Sequence, residues 1–292
     1  MRTEKGLTLF VVVAPFIGTI YAIYTLWMRW VTLLDVGLLV VGTLLCGLGI
    51  TIGYHRLATH QAFKAHPIVR AFWYMVGSMG VEGPVIEWAQ KHDEHHRYSD
   101  KPGDPHSPLE GFWHAHIGWM LGSYRAKPEY AQHLNSDPVA KWFSKTFLAW
   151  VVISLLVPFT IGYVVGGSMK AAWMAFIWGG LVRVFYVHHV TWSINSMCHL
   201  FGSREFETSD QSRNNPIFGW LAFGEGWHNN HHAFPNAAIQ GFKWWQFDLS
   251  GIIIRLMETY CLVWDVVWIS PDRQEDRRAH LASRAAARQS DS

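Results

Sequence analysis

Residues 7–27 make an apolar run without a charge, and residues 31–54 make a second that contains only Asp35, near its start. At 1.5 Å of rise per residue, about 20 residues cross the roughly 30 Å of bilayer hydrocarbon. Only Met28-Arg29-Trp30 separates the two runs, so the pattern predicts a helical hairpin. Residues 147–167 and 171–196 predict a second, with its tip at Gly166-Gly167-Ser168-Met169-Lys170. The fourth run carries Arg183, His188 and His189, which are costly in lipid and are expected to face the bundle interior. No small-residue cleavage site follows the first run, which reads as an anchor and not as a signal peptide.

Away from these runs the pattern changes. Residues 55–145 mix Lys and Arg with Pro, Gly and aromatics and read as a water-facing segment. Within it, residues 68–89 are apolar in patches but broken by Glu82, Gly83 and Pro84, which places them at the interface or against the spans. Residues 251–269 contain Arg255, Glu258 and Asp265 and predict an amphipathic helix on the membrane or the cap, in preference to a fifth span. The expected organisation is a first transmembrane hairpin (1–54), a first cap segment (55–145), a second hairpin (146–198), a second cap segment (199–271) and a flexible charged tail (272–292). The fold class is an all-α integral membrane protein, with four transmembrane helices in two hairpins under a helical cap. Lys and Arg concentrate before the first span, in the long segment and near the C-terminus, whereas the hairpin tips carry only Arg29 and Lys170. The positive-inside rule then puts both termini and the cap in the cytoplasm.

Composition sharpens this picture. Half of the 292 residues are hydrophobic, with 17 Trp and 17 Phe, and a net charge of +2 argues against a nucleic-acid partner. Cys46, Cys198 and Cys261 are isolated, so neither a disulfide framework nor an iron–sulfur site is expected.

The histidines carry the chemistry. Gly224-Glu225-Gly226-Trp227-His228-Asn229-Asn230-His231-His232 contains a His-x-x-His-His triplet whose rings share one face of a helical turn. The same spacing recurs at His92, His95 and His96. With 17 His in the chain, about 0.06 such triplets would arise by chance. His55 and His60 leave the second span five residues apart, about 140° around an ideal helix, so they can share a site only if the helix ends or bends between them. Asn195 and His199 close the fourth span four apart on one face. Nine imidazoles from four stretches exceed the three or four of a zinc site and suit two metal ions, although imidazole alone accepts Zn, Cu, Fe or Ni. A dinuclear site at a membrane edge suits oxidation of an acyl chain, and attack on an unactivated C–H bond needs a redox metal with O2, which favours iron.

In order and spacing, His55 to His60, Glu87-Trp88 before His92-x-x-His95-His96, Asn195-Ser196 with His199-Leu200 and Gly202, and Gly224-Glu225-Gly226 with His228-Asn229 and His231-His232 resemble the membrane-bound acyl-CoA Δ9 desaturases of the stearoyl-CoA desaturase type. Asp104-Pro105-His106 and Gly118-Trp119 look like the family's connecting segment, and the likeness runs from about residue 36 to 248. The resemblance implies a cap holding a di-iron centre. Its ligands would be His55, His60, His92, His95, His96, His199, His228, His231 and His232, with Asn195 acting through a water molecule. It also implies a reaction with O2 and two electrons that leaves a cis double bond, most often between C9 and C10 of a C16 or C18 acyl-CoA. No His-Pro-Gly-Gly is present, so the electrons are expected from a separate cytochrome b5, ferredoxin or rubredoxin type of donor.

Around these ligands, Glu87, Asp93, Asp100 and Glu225 could orient the free ring nitrogens. Trp88, Trp119, Trp192 and Trp227 are candidate walls of a substrate tunnel. Thr51, Gly47 and Thr43, at successive helical turns back from His55, would read chain length over about 18 Å. Lys91, Arg97, Lys101, Arg125 and Lys127 could meet the phosphates of the carrier. Vertebrate acyl-CoA enzymes carry Arg and Asp just before the first triplet, where this chain has Gln90 and Lys91, a departure that leaves room for a lipid-bound chain. The competing readings are a membrane hydroxylase or ketolase on the same metal scaffold and, from another class, a metal transporter. The latter would want ionisable groups near the middle of the spans, and a zinc hydrolase would want His-Glu-x-x-His, which is missing.

Overall fold

The computed structural model describes residues 2–122 and 124–278. Helices α1 (Arg2–Trp27) and α2 (Leu33–Thr59) form the first hairpin, and α6 (Phe147–Gly166) and α7 (Met169–Leu200) the second. Between them lie α3 (Pro67–Ser78), α4 (Val85–Tyr98) and α5 (Pro138–Lys145), and after them α8 (Pro216–Leu221), α9 (His228–Ala233) and α10 (Leu249–Thr259). Four of these helices are long and apolar enough to cross a membrane. The protein is therefore an all-α membrane protein, apart from short strands β1 (Lys64–Ala65) and β2 (Val263–Trp264), which pair antiparallel.

Local chemistry fixes where the spans begin. Asp35 caps α2: Thr32 Oγ1 accepts from the Asp35 N–H, and the carboxylate accepts from the Thr32 N–H at 2.8 Å. Ser168 caps α7 in the same way through the Ala171 N–H. The second hairpin packs through small residues, since a Cβ built on Gly162 would stand 2.4 Å from that of Ala175.

Helix α2 departs from expectation. It runs past Tyr54, where the apolar run stops, and ends at Thr59, just before His60; its last stretch, Gly49–Thr59, is π-helical. The His60 N–H donates to the His55 carbonyl at 3.0 Å, an i→i+5 bond. This widening brings residues five apart onto one face. Helix α3 lies against the widened stretch, with Gly49 and Gly77 in backbone contact; a Cβ on Gly49 would sit 2.3 Å from the Gly77 nitrogen.

The fourth span carries its polar residues inward. Arg183 is buried and donates to the carbonyls of Gly179 and Met79, to Ser154 Oγ and to Cys46 Sγ. Two other expectations need correction. The amphipathic helix predicted over 251–269 is α10, which ends at Thr259 because the chain then turns, with Cys261 and Asp265 at positive φ, to form β2. Residues 272–278, expected in a flexible tail, lie in a helix that begins at residue 271: Arg273 and Arg278 lie over the rings of Phe234 and Phe206, and Gln274 is buried. The rest of that tail, 279–292 with His280, lies outside the described residues.

Candidate metal centre

Helices α4 and α9 each divide their triplet between two groups of imidazoles. His92 and His96 from α4 join His55 and His60 from α2 and His231 from α9. His95, on the other side of α4, joins His199 at the end of α7 with His228 and His232 from α9. Either group could hold a metal ion, its donor atoms all lying within 4.8 Å of one another.

The spacing of the Nε2 atoms tests whether an ion fits. In the first group, His92 lies 3.0 Å from both His60 and His96, and His231 lies 2.8 Å from His96 and 3.1 Å from His55. In the second, His228 lies 3.0 Å from His199 and 3.1 Å from His232. Donors about 2.1 Å from a shared ion stand about 3.0 Å apart at right angles and about 3.4 Å apart at a tetrahedral angle. The observed distances match the right-angled arrangement of a six-coordinate ion.

Proton counting points the same way. His55, His95, His199 and His232 present Nδ1 to the carboxylates of Glu225 (2.6 Å), Asp104 (2.9 Å), Asp100 (2.8 Å) and Asp210 (3.0 Å). A neutral imidazole that donates from Nδ1 has only a lone pair on Nε2. His199 and His232 therefore both aim lone pairs at His228, whose Nε2 can donate to one at most. His95 Nε2 is buried with no hydrogen-bond partner. A cation satisfies all of these atoms together. Burial, then the neighbouring imidazoles, pushes His60, His92, His96, His228 and His231 well below the usual histidine range, so they are neutral donors at physiological pH.

The orienting carboxylates are themselves fixed. Burial alone would raise Asp210 and Asp104, but contact with His232 and His95 respectively, together with hydrogen bonds to the carboxylates, holds both well below the usual carboxylate range. Asp210 accepts from Thr208 Oγ1 at 2.7 Å and the Ser212 N–H at 2.9 Å; Asp104 accepts from the N–H groups of Asp100 and His106. Glu225 bridges His55 and Arg56. Asp210→Asn should lower metal affinity about 10–100-fold, as expected when an orienting partner is lost; equilibrium dialysis with Fe2+ against a chelator series measures it, and unchanged affinity would refute the role.

Of the four acids expected to orient rings, Asp100 and Glu225 meet His199 and His55. Glu87 instead lies 3.9 Å from Lys91, and Asp93 accepts from the Ala131 N–H. Asp104, Asp210 and Gln240, which lies 3.4 Å from His231 Nδ1, complete the layer. Asp210 and Gln240 sit in loops without periodicity, so no pattern marked them. His106 leans on the His95 ring, and His116 pairs with His189 at 3.0 Å.

A cavity of about 930 Å³ runs against both groups, reaching His55 and His92 of the first and His228 of the second, with Asn195 beside them. Gly47, Thr51, Trp88, Trp119 and Trp192 line it, as do Lys91 and Arg125. Thr43 and Trp227 are not among its lining residues: the Trp227 indole is wholly buried against Gly219 and donates to the Phe247 carbonyl at 2.8 Å. Arg97 lies over Tyr130, Lys101 donates to Ser209, and Lys127 pairs with Glu94.

A family model described as "Fatty acid desaturase" matches residues 28–251. The chain belongs to the fatty acid desaturase family, whose members are oxidoreductases of the membrane with histidine-box metal sites. It is 41% identical over 267 residues to the hex-5-enoyl-[acyl-carrier protein] acetylenase of Moorena producens, covering 87% of this chain and 83% of that one. It is also 37% identical to the sn-1 stearoyl-lipid 9-desaturase of Anabaena variabilis (75% and 79% covered) and 38% identical to Delta-9 acyl-lipid desaturase 1 of Arabidopsis thaliana (75% and 71% covered).

Proposed function

We propose that this desaturase introduces a cis double bond between C9 and C10 of a saturated C16 or C18 acyl chain. The observation that carries the reading is one apolar cavity touching both histidine groups. Two irons bound there would supply the O2-derived oxidant that takes one hydrogen from each of two adjacent methylenes. With two electrons from a separate donor and two protons, O2 leaves as two waters. The nine histidines would hold the irons, and Asn195, one turn before His199 and in the cavity wall, would act through a water molecule. Glu225, Asp104, Asp100 and Asp210 keep the imidazole lone pairs aimed inward. The Trp-lined wall fixes which carbon lies nearest, so positioning selects the bond.

For the carrier we infer a membrane lipid in place of CoA. The Anabaena and Arabidopsis relatives are named for lipid-bound chains. Among the basic candidates, only Lys91 and Arg125 line the cavity, and Lys91 already lies near Glu87. The cavity also meets the spans directly, at Val11 and Val12 of α1 and Leu148 and Val151 of α6. Both termini and the cap are assigned to the cytoplasm from the placement of Lys and Arg. The test is mass-spectrometric analysis, with double-bond location, of phospholipids and acyl thioesters from a desaturase-deficient host expressing the chain and a donor. New cis-Δ9 chains that label first in lipid are expected. Hydroxylated chains would overturn the reaction, and earliest label in thioesters would overturn the carrier.

A further inference from the structure

Between α3 and α4 the chain makes a turn that no metal ligand requires. Val81, a β-branched residue, stands at φ +67°, and Gly83 at φ +106°. Positive φ at a β-branched residue is strained and persists only where the surroundings enforce it. Here they do. Arg183 Nη1 donates to the Met79 carbonyl at 2.6 Å, and His188 Nε2 sits 3.1 and 3.0 Å from the carbonyls of Gly80 and Val81. The Tyr54 hydroxyl donates to the Gly83 carbonyl at 3.3 Å. Two polar side chains of the fourth span and one of the second are thus used to hold a single turn.

The turn places a carboxyl in the cavity wall. Glu82 lines the cavity with Val81, Trp88, His188, Thr191 and Trp192. Its Oε2 accepts from the Trp88 indole N–H at 3.0 Å, and its Oε1 is buried. Among the polar groups around it, α4 supplies the Trp88 N–H, α7 supplies the Thr191 hydroxyl and His188, α2 supplies the Tyr54 hydroxyl and α3 supplies Ser78, which is bonded to Tyr54. His188 is engaged with backbone carbonyls, and Arg183 with Met79, so neither forms an ion pair with Glu82. By contrast, the buried carboxylates of Asp100, Asp104, Asp210 and Glu225 each have an imidazole partner, and that of Glu94 has the Lys127 ammonium.

We infer that Glu82 gates acyl-chain binding: the chain enters when Glu82 is a neutral acid and is excluded when it is a carboxylate. This rests on the cavity being the acyl site proposed above. The physical reason is desolvation. A methylene chain packed on a carboxylate strips its water and offers nothing in return, whereas a neutral acid loses far less. Burial already pushes Glu82 up to about 7, against the opposing effect of Thr191 and Trp88. A bound chain displaces more water and raises it further. The sign follows: the pKa is higher in the chain-bound state, so affinity is full below the pKa of the free protein and is lost as pH rises through it. Above that point Kd should rise about tenfold per pH unit.

The test uses tritiated methyl stearate, whose head does not titrate, and measures its Kd for the metal-loaded protein in micelles from pH 6 to 8.5. The parent should bind about tenfold more weakly at pH 8.5 than at pH 7.5. Glu82→Gln should bind with the parent's low-pH Kd throughout. A flat profile for the parent overturns the proposal, and so does a pH-dependent profile for Glu82→Gln. The parent profile alone decides the matter if Glu82→Gln does not fold. Binding needs no turnover, so this result is separate from product formation, which tests the desaturase reading itself.

Discussion

His95→Ala should lower bound metal from two ions per chain to one and abolish product formation, while His106→Ala should keep both ions. The two rings are neighbours, with centroids 4.3 Å apart, and both contact Asp104. They differ in direction. His95 turns Nδ1 to Asp104 and leaves Nε2 buried and unpartnered among His199, His228 and His232, whereas the His106 N–H that meets Asp104 belongs to the backbone. Removing a ligand should exceed the roughly 10–100-fold loss that follows removal of an orienting partner, so at least about 100-fold less product is expected. Metal analysis of purified protein and product yield check this together. Equal losses in both variants would show that Asp104 and the two rings act as one structural unit, and would overturn the assignment of His95 to the second group.

The difference between those neighbours marks the limit of what a linear pattern conveys. The spans are legible because about 20 consecutive apolar residues have few alternatives. The triplets are legible because spacings of three and four residues put rings on one helical face. Periodicity cannot show that His95 faces away from His92 and His96 into the other group of imidazoles, since all three fit one turn. It also cannot show the π-helical end of α2. On an ideal helix His55 and His60 diverge, and only i→i+5 bonding reconciles their spacing with a shared site, their ring centroids lying 4.7 Å apart. The orienting carboxylates divide along the same line. Glu225 adjoins a triplet in sequence, whereas Asp210 reaches His232 from a loop anchored by Asn229, whose amide holds the backbone of Glu205 and Phe206. Glu87 and Asp93 share α4 with the first triplet, yet Glu87 lies near Lys91 and Asp93 accepts from the Ala131 N–H. Proximity along a chain is therefore a weak guide to second contacts, and loops contribute them without any repeat to announce it.

Arg56→Met should destabilise the cap more than any other single change outside the histidines. Arg56 is 1% exposed and directly follows His55. Its guanidinium donates to Glu225 Oε1 from Nε and Nη2 at 3.2 and 3.0 Å, to Asp248 Oδ2 from Nη1 at 3.0 Å and to the Ala238 carbonyl at 2.8 Å, and its Nη2 lies 3.0 Å from Asp248 Oδ1 as an ion pair. Asp248 in turn caps α10 through the Gly251 N–H and accepts from the Gln240 N–H. One cation thus joins the end of α2, the loop before α9, the segment carrying Gln240 and the start of α10. Methionine fills a similar volume but leaves Glu225 and Asp248 buried without a countercharge, which typically costs about 3–5 kcal/mol. At roughly 2–4 °C per kcal/mol for a chain of this size, Tm should fall by about 6–20 °C. Arg56→Lys should recover little, because a single ammonium cannot reproduce a planar fork that serves two carboxylates and a carbonyl. Thermal unfolding of the purified protein, with metal content measured alongside, checks both variants. If Arg56→Met melts within about 2 °C of the parent, the network is an ornament of the fold and Glu225 holds His55 without it.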